Sequence, residues 1–236
     1  MTGSREYRAA HAWKFRLLLT ALVAMLTIQP VVGRHDVSRL SYTTLWTIVL
    51  VATLFAISEV RWQRRIGLCL GLPFLAGMWG RHLVAGTARE TFELPVFGLA
   101  AVFVVLVAVT VMRHLVTHDV TADNVAGAVC AYLFIGLGIG MVFTMIESLE
   151  PHSFVASAGE LADEIAAPAR RPSALTYFSF VTLTTAGYGD IVPATPLTRI
   201  LAALEAVLGQ FYLAVLVAGL VGIRISRRSD GGAGNN

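Results

Sequence analysis

The sequence predicts an all-α membrane protein with six transmembrane helices and one re-entrant helix-and-loop segment between the fifth and sixth. Three observations predict it. Of 236 residues, 56% are hydrophobic and only 14% charged, and mean hydropathy is +0.70, a balance that excludes an ordinary soluble enzyme. Apolar runs approaching or reaching bilayer length recur from the first twenty residues to the last twenty. The arginines stand at the ends of those runs, so the net charge of +3 reads as membrane topology and not as a nucleic-acid surface.

Taken in order, the uncharged runs are Leu17–Val32, Leu40–Ser58, Ile66–Gly80, Leu94–Met112 and Val125–Ile146. The third is expected to continue past Arg81 and His82 at an interface. A last run, Ile200–Ile223, contains the single charge Glu205 and ends at Arg224, Arg227 and Arg228. Pro172–Gly189 is also uncharged, but its Thr, Ser and Gly content suits a re-entrant segment better than a lipid-facing helix. With six spans, eleven of the 18 Lys and Arg residues fall on the inner side and seven on the outer. That bias places both termini in the cytoplasm and the chain in the cell membrane as a multi-pass protein. A basic segment before the first run, with Val32 and Gly33 after it, also fits a signal peptide. The run is long for a signal core, so an uncleaved first span is expected.

Chemistry concentrates in Thr182, Leu183, Thr184, Thr185, Ala186, Gly187, Tyr188, Gly189 and Asp190. Gly187 and Gly189 permit backbone conformations that other residues resist, which lets successive carbonyls turn toward one side. Ser173–Thr184 fits a short helix, with Pro172 ahead of it and Ser173 as N-cap. Its carboxyl end carries partial negative charge, which favours a cation.

These residues resemble the selectivity filter of the tetrameric potassium channels, over a region of about Val125 to Ile223. The resemblance implies a two-helix pore unit, here preceded by four further spans. It implies a homotetramer, because one loop is a quarter of a filter. Backbone carbonyls of Thr185, Ala186, Gly187 and Tyr188 would replace the water around dehydrated potassium ions, with Gly189 completing the loop and the Thr185 hydroxyl as the innermost ligand. Thr184, Asp190 and Tyr177 would support the filter. Gly209 falls where many members have a hinge in the inner helix, and close packing through a small residue explains it equally. Ala186 stands where valine is commonest. The paired tryptophans of some members are Tyr177 and Phe178, and the pore-helix acid is replaced by Val181. Asp190 therefore needs another partner, and Tyr177 or a neighbouring tyrosine is expected to supply the hydrogen bond.

The fourth span carries no arginine before Arg113, so the first four spans are expected to serve as scaffold and not as a voltage sensor. Glu205 is expensive in lipid and is expected to anchor structure behind the filter, on Arg199 or a pore-helix hydroxyl. Glu59 suits an interfacial ion pair with the nearby arginines. Glu147, Glu150, Glu160, Asp163 and Glu164 would form an acidic turret that concentrates cations, with His152 exposed among them. His114, His118, Asp119 and Asp123 have metal-ligand chemistry, but their linker position argues against a site. Cys69 and Cys130 lie in separate apolar runs and indicate neither disulfide nor metal. No Ser/His/Asp arrangement, phosphate loop or nucleotide-stacking patch stands out, so no enzyme, cofactor or nucleic-acid partner is expected.

The expected organisation is a four-span domain over 1–118, a pore domain over 119–226 and a short disordered cytoplasmic tail over 227–236. The expected partners are the chain itself, the bilayer and potassium. A nonselective cation channel and a non-conducting channel-like subunit are the rival readings.

Overall fold

The computed structural model describes residues 13–32, 38–56, 61–80, 88–117, 122–157 and 159–232. Five long helices come first: α1 (Lys14–Val32), α2 (Ser38–Ala56), α3 (Arg61–Gly80), α4 (Ala88–Thr117) and α5 (Ala122–Leu149). Then follow strand β1 (Phe154–Ala156), the short helix α6 (Glu160–Ala166), helix α7 (Arg171–Leu183), strand β2 (Ile191–Pro193) and the long helix α8 (Pro196–Gly232). The segments Val125–Leu149 and Pro196–Ala218 are long and apolar enough to cross a membrane. Thr43–Ala56, Gly67–Gly80 and Pro95–Thr110 are shorter apolar helical stretches.

The helices run two to nine residues beyond the apolar windows at several ends, because amphipathic and charged flanks extend a helix without adding hydropathy. The tail expected to be disordered after Arg228 is helical as far as Gly232. Arg34, Glu59, Arg81, His82, His118 and Asp119, with residues 1–12 and 233–236, lie outside the described residues, as do the side chains of His114, Arg113, Arg224, Arg227 and Arg228.

One core joins α1 to α5. Phe15, Leu18 and Leu22 of α1 meet Trp46 and Leu50 of α2, Phe74 and Met78 of α3, Phe103 and Val104 of α4, and Phe134 and Leu137 of α5. Trp46 and Phe74 pack edge to face at 5.5 Å. A second core lies beside α7, where Phe143 of α5, Phe154 of β1 and Phe178 of α7 form a triangle with ring centroids 5.1 to 5.4 Å apart. Each such pair contributes about 0.5 to 1.5 kcal/mol beyond its buried area.

Helix α5 belongs to both cores, and its glycines decide how closely its neighbours come. A methyl group at Gly138 would stand 3.2 Å from Val104 of α4, and one at Gly127 would stand 3.1 Å from the Phe15 ring of α1. One turn apart on a different face, Gly136 and Gly140 meet α7: a methyl there would lie 2.6 Å from the Phe180 ring and 2.8 Å from the Thr176 Cα, respectively. This is small-residue packing of two helices at near-backbone contact. The register runs antiparallel, so Tyr132, Gly136 and Gly140 of α5 face Leu183, Ser179 and Thr176 of α7 in turn.

Gly140→Ala is expected to lower stability by about 1 to 3 kcal/mol through overpacking against backbone. Gly98→Ala, whose new methyl meets nothing nearer than the Met145 sulfur at 3.8 Å, is expected to be neutral or stabilising. Thermal unfolding of the two purified variants checks the contrast.

Candidate functional site

Helix α7 begins at Arg171, not at Ser173 as its sequence suggests, and makes no side-chain cap. Pro172 fits inside the first turn, where a missing N–H costs nothing, and the Ser173 N–H donates to the Arg170 carbonyl at 2.9 Å. Arg171 fixes this start by donating from Nε to the Ile165 carbonyl at 2.8 Å and from Nη1 to Ser148 Oγ at 3.0 Å. Its guanidinium thus ties α6 to the carboxyl end of α5.

The carboxyl end of α7 accounts for all four of its terminal carbonyls. Phe180 accepts from the Thr184 N–H at 3.0 Å and the Thr184 hydroxyl at 2.7 Å. Val181 accepts from the N–H groups of Ala186, at 2.9 Å, and Gly187, at 3.4 Å; Thr182 accepts from Thr185 at 2.9 Å. Leu183 accepts from the Tyr132 hydroxyl at 3.1 Å. The peptide bonds among the described residues are trans, so an amide that points to α7 carries the preceding carbonyl the other way. The carbonyls of Thr184, Thr185 and Ala186 therefore face away from α7.

Residues 184–189 are all exposed in the single chain, Tyr188 at 72%. Left-handed backbone recurs at every second position, with φ of 57° at Thr185, 57° at Gly187 and 75° at Gly189. Glycine was expected to adopt this conformation. For the β-branched Thr185 it costs on the order of 1 to 3 kcal/mol, and nothing in its residue type announced it.

Behind the loop, Tyr177 donates its hydroxyl to Asp190 Oδ2 at 2.5 Å, which is the partnership the sequence suggested. Phe178 turns the other way into the aromatic triangle, since adjacent helical residues point about 100° apart. The accepting carboxylate, helped by burial, pushes the Tyr177 phenol up to about 12. Raised above its unfolded value, this group lends its stabilisation fully below about pH 10 and loses it as pH climbs through 12. The second Asp190 oxygen accepts from the Ile191 N–H at 2.9 Å, and the Asp190 carbonyl accepts from the Ser157 N–H at 2.9 Å. Strand β2 then pairs antiparallel with β1, Phe154 opposite Pro193 and Ala156 opposite Ile191. The loop is thus fastened at both flanks.

Glu205 is buried, with 2% of its surface exposed, and its Oε1 lies 2.5 Å from the Ser179 hydroxyl oxygen. A hydroxyl of α7 is thus its partner; Arg199 instead donates from Nε to the Pro193 carbonyl at 3.3 Å. One turn on, a methyl at Gly209 would stand 1.9 Å from the Leu183 carbonyl oxygen. This supplies a packing reason for Gly209, and α8 runs through it without interruption.

The acidic turret is corrected at Glu147. Its side chain is 3% exposed and accepts from the N–H groups of His152 and Phe154, each at 2.9 Å. It caps the turn after α5, where His152 is exposed in left-handed backbone at φ 70°. Asp123 accepts the Arg16 backbone N–H at 3.2 Å, and among the described residues no three His, Cys, Asp or Glu side chains gather. Sequence reasoning missed Arg171, Tyr132 and the β1–β2 ribbon; the last has no signal beyond two short β-rich triplets.

The sequence model of a family described as ion channel matches residues 162–225. A protein of Oryza sativa subsp. japonica named two pore potassium channel c is 34% identical over 91 residues, covering 39% of this chain and 18% of that protein. The chain therefore spans under a fifth of that relative's length. No solved structure matches significantly. The segment that holds α7, the loop and α8 is related to ion channels, and the chain as a whole is a mostly helical, membrane-type protein.

In a double-mutant cycle of Tyr177→Phe and Asp190→Asn, the coupling energy read from thermal unfolding is expected to be about 0.5 to 1.5 kcal/mol. Additive effects would show that the phenol and carboxylate do not support each other.

Proposed function

We propose that this chain is the subunit of a potassium channel, four copies of which place their 184–189 loops around one axis and conduct potassium passively. The observation that carries the reading is the loop backbone. Amides of Thr185, Ala186 and Gly187 turn back to α7, leaving a row of outward carbonyls on residues too exposed to be finished within one chain. In this reading the carbonyls of Thr185, Ala186, Gly187 and Tyr188, with the Thr185 hydroxyl, coordinate dehydrated potassium, and Gly189 closes the loop. Thr184, Asp190 and Tyr177 hold it from behind. The similarity to a protein named as a potassium channel supports the choice of ion.

Tetramerisation is supported by α8. Only 22% of its apolar membrane-length window is buried, against 56% for that of α5, and Ile200, Leu204, Val207, Leu208 and Phe211 are exposed. Lipid and neighbouring copies would share that surface. Six spans, with both termini cytoplasmic and the cell membrane as location, follow from the arginine distribution. Residues 1–118 act as a scaffold packed on α5, and 119–226 form the pore unit. The contact of Gly209 with Leu183 favours a packing role for that glycine over a hinge.

Purified protein in liposomes carrying a potassium gradient is expected to give flux that reports the potassium equilibrium potential. Gly187→Asp, at a φ of 57°, is expected to abolish it. Equal sodium and potassium flux would assign a nonselective cation channel, and absence of flux in assembled tetramers would assign a non-conducting subunit. With flux in hand, Tyr177→Phe is expected to accelerate slow loss of current.

A further inference from the structure

Ser179 follows Phe178 on α7, about 100° round the helix from the aromatic triangle, with no exposed surface. Its Oγ lies 2.7 Å from the Gly136 carbonyl oxygen of α5 and 2.5 Å from Glu205 Oε1 of α8. A serine hydroxyl has one proton to donate. The Gly136 carbonyl can only accept, and an ionised carboxylate can only accept. With a carboxylate at 205, one of the two short oxygen–oxygen contacts would hold no hydrogen between two lone pairs. With a carboxylic acid, Glu205 donates to Ser179 and Ser179 donates to Gly136, so both contacts are hydrogen bonds.

The rest of the surroundings agrees with a neutral acid. No cation among the described residues lies against Glu205: Arg199, the one on the outer turn of α8, is turned to the Pro193 carbonyl. The titratable groups that face it are phenols, Tyr132 of α5 and beyond it Tyr212 of α8, and each donates its proton to a backbone carbonyl, Leu183 and Ala128 respectively. From α7 it meets only the Ser179 hydroxyl. The second carboxyl oxygen, Oε2, is buried without a hydrogen-bond partner. A buried ionised carboxylate in that state would be costly, whereas the carbonyl oxygen of a neutral acid tolerates it far better.

We infer that Glu205 is a proton-binding site behind the loop, and that its bound proton completes a relay of hydrogen bonds from α8 through α7 to α5. The site holds one proton per chain. Loss of that proton leaves Ser179 one hydrogen for two acceptors, so its contact with either Glu205 or Gly136 becomes a repulsion between oxygens. This assignment rests on the proton count and stands whether the assembled protein passes potassium, sodium or nothing.

Infrared difference spectroscopy on the full-length protein in lipid at neutral pH is the test, because a protonated carboxyl has a carbonyl band distinct from that of carboxylates. The expected result is a protonated-carboxyl band that Glu205→Gln removes and that Ser179→Ala moves in frequency, since the acid then loses its acceptor. Absence of the band at neutral pH, or its survival in Glu205→Gln, would overturn the inference. If Glu205→Gln does not fold, Ser179→Ala decides alone, and an unmoved band there would equally overturn it. A failure of ion flux leaves this readout untouched.

Discussion

Everything around the loop depends on how the carboxyl end of α7 satisfies its carbonyls. A helix that stops leaves four acceptors without partners, and here the following residues turn sharply enough to bring four of their own amides back onto three of them. That return fixes which way the loop carbonyls point. The fourth acceptor, Leu183, is met from α5 by Tyr132 and from α8 by the bare backbone at Gly209. The end of one short helix is therefore where α5, α7 and α8 register against one another. Helix α7 runs parallel to α8, Ser179 with Glu205 and Leu183 with Gly209, and antiparallel to α5.

Around that point the polar groups are few and each serves an alignment. Tyr177, Asp190 and the β1–β2 ribbon hold the outer flank of the loop. Arg171 and Glu147 satisfy backbone groups at turns that precede α7 and the loop. Between them lies the triangle of Phe143, Phe154 and Phe178, which carries the apolar burial that such a small outer layer needs. Five helices pack into the other core, and the two cores meet along α5.

The elements most legible in the sequence were those whose signal is local. Apolar runs marked the long helices because hydropathy is summed residue by residue, although charged flanks hid where those helices end. The Thr-Thr-Ala-Gly-Tyr-Gly-Asp segment marked the loop, and the missing acid at Val181 directed attention to Tyr177 as the partner of Asp190. Glu205 was legible as a buried acid seeking a hydroxyl, because a lone charge in an apolar run has few other outcomes. What stayed hidden was set by distance along the chain. Glu147 looks like any surface acid until the turn at His152 brings two amides over it. Arg171 counts toward topology in the sequence, yet its guanidinium reaches back to α5 and α6. Gly209 left hinge and packing equally open, because the Leu183 carbonyl it meets lies 26 residues away. The strain at Thr185 follows from the return of its neighbours' amides and has no counterpart in its own chemistry.

The glycines of α5 have a mechanical consequence. Gly138 admits Val104 of α4 on one side, and Gly136 and Gly140 admit Phe180 and Thr176 of α7 on another. At that level α4 and α7 are separated by a single helix that brings no side chain of its own to these contacts. Close-packed protein is stiff and passes displacement on with little loss. A lateral shift of α4 would thus be handed to α7 across the backbone of α5, with no side chain of α5 between them to absorb it.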